Sequence, residues 1–304
     1  MTRTRVLVLT LLAMLVFAAN SLLCRAALNL TGIDAASFTL VRIVSGALAL
    51  WLIVRLRDGK AVSAGSWPSA LALFVYAAAF SFAYLSLTAA TGALLLFGTV
   101  QATMIGFGLY RGERLGGRQS LGLVCALAGL VGLLLPGLSA PPVQGAALML
   151  AAGAAWGVYS LRAKGSGDPL QATAGNFLRA AAFAAALNLV TLPWLALDAA
   201  GVGCAIASGA IASGVGYAIS YTALAGLKAT SAATVQLSVP VIAAVGGIAV
   251  LGEPLTLRLV IASAAILGGI AIVIARRSAG PDELKACAAG RARAARPVRG
   301  TSAA

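Results

Sequence analysis

Strongly apolar runs of about 18 to 24 residues recur from one end of this chain to the other, and each is long enough to cross a hydrocarbon core, which takes about 20 residues as a helix. Apolar windows between charged or Pro/Gly-rich breaks define ten segments, at about residues 6–24, 36–54, 68–87, 91–110, 119–136, 143–161, 172–195, 199–222, 231–251 and 257–275. Composition agrees. The chain is 61% hydrophobic and 10% charged, whereas a soluble domain carries roughly 25% charged residues. An all-α polytopic membrane protein is expected, with lipid as the solvent for most of the chain. The first run follows Arg3 and Arg5 but lacks a convincing cleavage site and is followed by further spans, so it is read as a retained helix rather than a leader.

The charges test the count independently. With the N-terminus on the cytoplasmic side, 18 of the 22 basic residues fall in inner segments: Arg3 and Arg5; Arg55, Arg57 and Lys60; Arg111, Arg114 and Arg118; Arg162 and Lys164; Lys228; and the tail after Ala275. Arg25 and Arg258 fall at outer ends, and Arg42 and Arg179 lie within spans. A miscounted helix would scramble this asymmetry, because every later loop would change sides. Ten helices with both termini inside is the solution that fits. The net charge of +14 then belongs to orientation and to a basic tail, 276–304, expected to be disordered at an anionic leaflet rather than bound to nucleic acid.

There is no histidine. The chain therefore lacks the commonest general base and the commonest zinc ligand, which excludes Ser/His/Asp hydrolysis, metzincin chemistry and His-ligated haem. Cys24, Cys125, Cys204 and Cys287 have no metal-binding spacing and read as small apolar residues. No metal and no cofactor are expected.

The chain also matches itself. At a shift of 137 residues, Arg25 falls on Arg162, Arg42 on Arg179 and Tyr84 on Tyr221; after a short indel near Lys228 the shift becomes 140 and sets Gly112-Glu113-Arg114-Leu115 on Gly252-Glu253-Pro254-Leu255. Each copy has five helices, an odd number, so the second enters the membrane inverted with respect to the first. The expected units are 1–136, 143–275 and the tail 276–304. Together with Thr91-Gly92-Ala93, Ser231-Ala232-Ala233-Thr234, Pro240 in the ninth helix and Ala155-Trp156-Gly157 in the sixth, the paired Gly-Glu turns resemble an EamA-type drug/metabolite transporter over about residues 6 to 275. The resemblance implies a cofactor-free carrier of small metabolites such as amino acids. The first half departs from the pattern, with Val100-Gln101 where the ninth helix has its proline.

Intramembrane polar residues are the candidates for a substrate cavity. Arg42 lies about 9 Å deep from its end of the second helix at 1.5 Å per residue, and Arg179 equally deep from the opposite side of the seventh. A cation inside a span must snorkel to an interface or face a cavity or partner, so each either anchors its helix or binds an anionic group. Asn20, Gln101, Asn176, Gln236 and Ser238 need hydrogen-bond partners away from lipid, and Tyr84, Tyr221 and Trp156 add amphipathic rings. Pro240, four residues after Gln236, is a hinge candidate that could free a carbonyl near that amide. No Asp or Glu lies within a span, which disfavours a drug antiporter built on a central carboxylate. Small-xxx-small pairs such as Gly153/Gly157 and Gly122/Ala126 suggest a tightly packed bundle.

The expected function is a secondary transporter, not an enzyme, carrying a small polar or amphipathic solute across the cell (inner) membrane by alternating access. Its expected partners are a small-molecule substrate and the lipid bilayer, with no nucleic acid; a monomer and a homodimer are both compatible. A membrane-embedded lipid-processing enzyme or flippase is the alternative, and a channel would need a charge ring or filter loop that the sequence does not display.

Overall fold

The computed structural model describes residues 2–59, 62–137, 140–163, 167–224 and 234–275. Lys60, Lys164, Lys228, Ser231–Ala233, Cys287 and the basic tail lie outside these. The described residues are helical with no strand. The helices are α1 (Arg3–Leu30), α2 (Ala35–Asp58), α3 (Trp67–Tyr84), α4 (Ala89–Tyr110), α5 (Gly117–Leu134), α6 (Val143–Ala163), α7 (Pro169–Val190), α8 (Ala199–Leu224), α9 (Thr234–Leu251) and α10 (Leu257–Ala275). Among the described residues, nine are long and apolar enough to cross a membrane. The other, α7, is 22 residues long, but Gln171, Thr173, Asn176, Arg179 and Asn188 dilute its apolar content.

Local chemistry sets where helices begin and end. The carboxylates of Asp34, Asp168 and Asp198 accept backbone N–H bonds at the N-termini of α2, α7 and α8. Each meets otherwise unpaired donors and the positive end of the helix dipole. Thr88 does the same for α4, so that helix starts at Ala89 and takes in Thr91 and Gly92. Gly112 after α4 and Gly252 after α9 both have positive φ, 90° and 65°. The following glutamate N–H returns in each case to a carbonyl of the preceding helix, Glu113 to Gly108 and Glu253 to Gly247, both at 3.0 Å. The paired Gly-Glu sequences thus close two similar turns.

Two irregularities stand out. Residues Ala207–Val215 of α8 form a π-helical segment, in which Ser213 Oγ donates to the Ser208 carbonyl at 3.0 Å. The widened turn brings Gly209 against the α2 backbone at Arg42, where a Cβ would collide with the Arg42 carbonyl and Ser45. In α9 the helix is interrupted at Leu237, whose N–H reaches only to Thr234 at 3.1 Å. Pro240 stands three residues on and offers no N–H to the Gln236 carbonyl.

Helix contacts alternate between the two halves of the chain. α3 packs on α6 and α7, while α8 packs on α1 and α2; α4 packs on α6, while α9 packs on α1; α2 meets α7, and α5 meets α10. The last pair touches backbone to backbone, since a Cβ on Gly122 would lie 2.6 Å from the Gly269 carbonyl oxygen. One face of the bundle, where α1 starts, carries the ends of α2 and α6 and the starts of α3 and α7; we call it the N-terminal face. On the far face, the Asp34 carboxylate accepts from Ala196 N at 3.0 Å and Arg258 donates to the Leu135 carbonyl.

Candidate functional site

A narrow cavity of about 30 Å³ lies at the centre, walled by residues from α1, α3, α4, α6, α8 and α9. Aromatic rings make much of the wall. Trp156 stacks on Tyr217 with centroids 5.6 Å apart and on Tyr159 at 5.1 Å, Tyr76 lies 4.8 Å from Trp156, and Phe17 lies 5.8 Å from Tyr217. Asn20, Ser21, Ser213 and Gln236 are its neutral polar members. The Asn20 carboxamide oxygen accepts from Ser208 Oγ at 2.6 Å, which ties α1 to the π-helical turn of α8. A buried amide in such a site must be bonded by protein or solute.

Arg42 stands directly behind this wall and is 2% exposed. Its Nη2 donates to the Tyr76 hydroxyl at 3.1 Å, and its guanidinium carbon sits 4.8 Å from the Phe80 ring centroid and 5.4 Å from that of Tyr76. Both rings line the cavity. Its Nη1 has no hydrogen-bond partner among the described residues.

The far face is closed above the cavity. Arg25 Nε donates to Glu253 Oε1 at 3.0 Å, Arg25 Nη1 donates to the Tyr84 carbonyl at 2.9 Å, and Glu253 Oε2 accepts from Ala89 N at 2.8 Å. Asn29 Nδ2 also donates to the Tyr84 carbonyl at 2.9 Å. The α1 helix extends through Arg25 to Leu30, past the end at residue 24 that hydropathy assigns. The cation marks no helix end, because its charge is taken up by tertiary partners. Phe80 stacks edge-on against Tyr84 at 4.7 Å and completes the plug.

Toward the N-terminal face lies a second, roomier pocket of about 180 Å³, lined by Ser66, Ser69, Tyr159, Arg162, Thr173 and Asn176 among others. A polar chain runs through it. Asn176 Oδ1 accepts from Ser66 N at 2.8 Å, its Nδ2 donates to the Tyr159 hydroxyl at 3.4 Å, and Thr173 Oγ1 shares a 2.7 Å bond with the Tyr221 hydroxyl. Arg162 Nε donates to Ser69 Oγ at 3.1 Å. The Tyr159–Trp156–Tyr217 stack separates this pocket from the central cavity. A third hollow, between α2 and α8, is lined almost wholly by aliphatic side chains and opens outward, as a lipid-facing groove would.

The sequence candidates therefore divide. Asn20, Trp156 and Gln236 line the cavity, Arg42 backs it, Tyr84 belongs to the far-face closure, and Asn176 and Tyr221 join the N-terminal pocket network. Arg179 is different from Arg42 despite its matching position: its Nη1 donates to the carbonyls of Ala64 at 3.0 Å and Gly175 at 2.9 Å, which pins the chain ahead of α3. Gln101 is buried in α4 but is not part of the cavity wall. Ser238 bonds back to the Val235 carbonyl at 2.7 Å, and Pro240 is buried beside the interruption in α9. Phe17, Tyr76, Phe80, Ser213 and Tyr217 were not among the candidates. Their signal is the i, i+4 spacing of Tyr76, Phe80 and Tyr84 and of Tyr217 and Tyr221, which stacks rings on one helix face.

A bundle of apolar, membrane-length helices around an aromatic, neutral polar cavity describes a multi-pass membrane protein. Residues 143–275 match the model of the EamA-like transporter family. The chain is 60% identical over 274 residues to the uncharacterized protein PA1977 of Pseudomonas aeruginosa strain PAO1, covering 90% of this chain and 96% of that protein. A protein of known crystal structure shares the fold at a TM-score of 0.62 and 21% identity, covering 91% of this chain and 100% of its own. The chain belongs to the EamA-like family of the drug/metabolite transporter superfamily, whose members are transporters and not enzymes.

Proposed function

We propose that this chain is a secondary carrier that moves a small polar or amphipathic metabolite across the cytoplasmic membrane by alternating access, built from two inverted five-helix repeats, 1–136 and 143–275. One observation carries this reading. Positions related by the self-match meet at the same cavity: Tyr76 with Ser213 and Phe80 with Tyr217 at a shift of 137, and Leu96 with Gln236 at a shift of 140. A central site walled by matching positions of two halves is what a pseudo-twofold carrier needs, and at about 30 Å³ it is held in a contracted form that must widen to admit a solute. The alternating helix contacts, α3 on α6 and α7 against α8 on α1 and α2, support the same relation.

The two ends of the cavity are unequal, as one state of an alternating cycle requires. The Arg25–Glu253 pair and the Tyr84 carbonyl close the far face, whereas the N-terminal face holds the larger polar pocket. With the N-terminus in the cytoplasm, this is a state closed to the outside. The test is flux: purified protein in liposomes should give saturable uptake of some members of a panel of small polar and amphipathic metabolites. Modification or flipping of lipid with no solute flux would overturn the reading.

A further inference from the structure

We propose that Arg42 is the anion subsite of the central cavity, and that it takes a small carboxylate whose apolar body rests on the Trp156 and Tyr217 rings. The proposal rests on the carrier reading for its biological meaning but on Arg42's own surroundings for its chemistry. Arg42 is 2% exposed, and no Asp or Glu is among the described residues that line the cavity beside it. Among the described residues its guanidinium is hydrogen-bonded to the Tyr76 hydroxyl and lies over the faces of Phe80 and Tyr76. Ring faces attract a cation without neutralising it. A fully buried guanidinium normally finds a carboxylate, because its charge is costly to keep in a medium of low polarisability.

The free valence has a direction. Nη2 is committed to Tyr76, while Nη1 is buried and unpartnered. The two nitrogens form the planar fork that suits a carboxylate bidentately. Tyr76 and Phe80 are both cavity wall residues, so displacement of these two rings is the step that would widen the cavity and open the fork to it, and the Tyr76 hydroxyl can follow the incoming anion. The remaining wall supplies neutral partners, Asn20, Ser213 and Gln236, and no fixed anion. The site thus favours a solute whose charge is negative over one whose charge is positive.

The experiment is thermal stabilisation of the purified full-length protein by small carboxylates, acetate, butyrate, phenylacetate and indole-3-acetate, each beside its amide and its amine counterpart. At least one carboxylate should raise the melting temperature in a saturable manner, with its amide and amine at least tenfold weaker. Arg42→Gln should abolish that difference, Arg42→Lys should keep part of it, and Arg179→Gln should leave it intact. If amides or amines stabilise as well as the acids, or if Arg42→Gln retains the preference for the acid, the proposal is overturned. The selectivity of the unaltered protein decides the matter even if Arg42→Gln does not fold. Flux of neutral or cationic solutes alone in liposomes would leave the carrier reading standing and remove this one. Carboxylate binding without flux would do the reverse.

Discussion

Arg25 and Glu253 lie 228 residues apart in sequence and form an ion pair of 3.0 Å in which the side chains are 19% and 9% exposed. The pair joins α1 to the turn after α9, and both members also bind the α3–α4 turn, Arg25 at the Tyr84 carbonyl and Glu253 at Ala89 N. Burial of this degree makes loss of one partner expensive, on the order of 1–3 kcal/mol for a charged hydrogen-bonding group.

Glu253→Gln is expected to loosen the far-face closure while leaving the amount of protein in the membrane unchanged. In a variant with the native cysteines removed and one introduced at Ala89, the rate of labelling by a membrane-impermeant maleimide should rise severalfold. The self-match sets Arg25 on Arg162 and Glu253 on Glu113, so the carrier reading expects Glu113→Gln to shift the same labelling in the opposite direction. Equal effects of the two substitutions would count against exchange of one pair for the other.

Asp34 gives a prediction about pH. Partial burial pushes its carboxyl upward, but hydrogen bonds from Ser37, Ala196 and Ala36 outweigh this and hold it below the ordinary carboxylate range. A carboxylate whose folded value is depressed contributes stability above the unfolded value and loses it as pH falls through the folded one. Melting temperature in detergent should therefore fall below about pH 4, and Asp34→Ala, which costs about 1 kcal/mol as a lost cap, should flatten that part of the curve.

The α5–α10 seam should resist any added side chain. Gly122→Leu must force the Gly269 carbonyl and Ile272 away, at a cost of about 1–3 kcal/mol for overpacking. Reduced melting temperature with preserved membrane insertion is the expected result, and an unchanged melting temperature would contradict the backbone contact.

Pro240→Ala would return an N–H to the Gln236 carbonyl and allow α9 to run through Leu237 without interruption. The variant should melt several degrees higher and transport more slowly, as measured by flux in liposomes at saturating solute. An unchanged rate would argue that the interruption plays no part in the cycle.

Much of the fold is written in hydropathy, because a helix in lipid must be apolar along its whole length, and the starts of α2, α7 and α8 are written in Asp34, Asp168 and Asp198. The ends of α1 are not. Hydropathy takes Arg25 for a boundary, whereas its charge is absorbed by Glu253 at a distance no local pattern records. The candidate site is legible to the extent that it is polar: Asn20 and Gln236 are conspicuous in apolar runs. Tyr76, Phe80 and Tyr217 are less so, since an aromatic ring in a span serves equally for lipid contact and for a cavity wall. The π-helical turn of α8 has no sequence signal of its own: Ser213 bonds within it to the Ser208 carbonyl, while the Ser208 hydroxyl reaches Asn20 of α1, a partner no local pattern records. Arg42 and Arg179 occupy matching positions in the self-match, yet one faces the Tyr76 and Phe80 rings and the other the carbonyls of Ala64 and Gly175, a difference set by their neighbours and not by their own position.

The bonds around Tyr84, Ala89, Arg25 and Glu253 share their members, so none can lengthen far while the others persist. Opening at that end is then a concerted event with a threshold rather than a gradual widening. If the chain is the carrier proposed above, such a threshold would suppress leakage: partial fluctuations would not create a continuous aqueous path, and the gradient across the membrane would be preserved between turnovers.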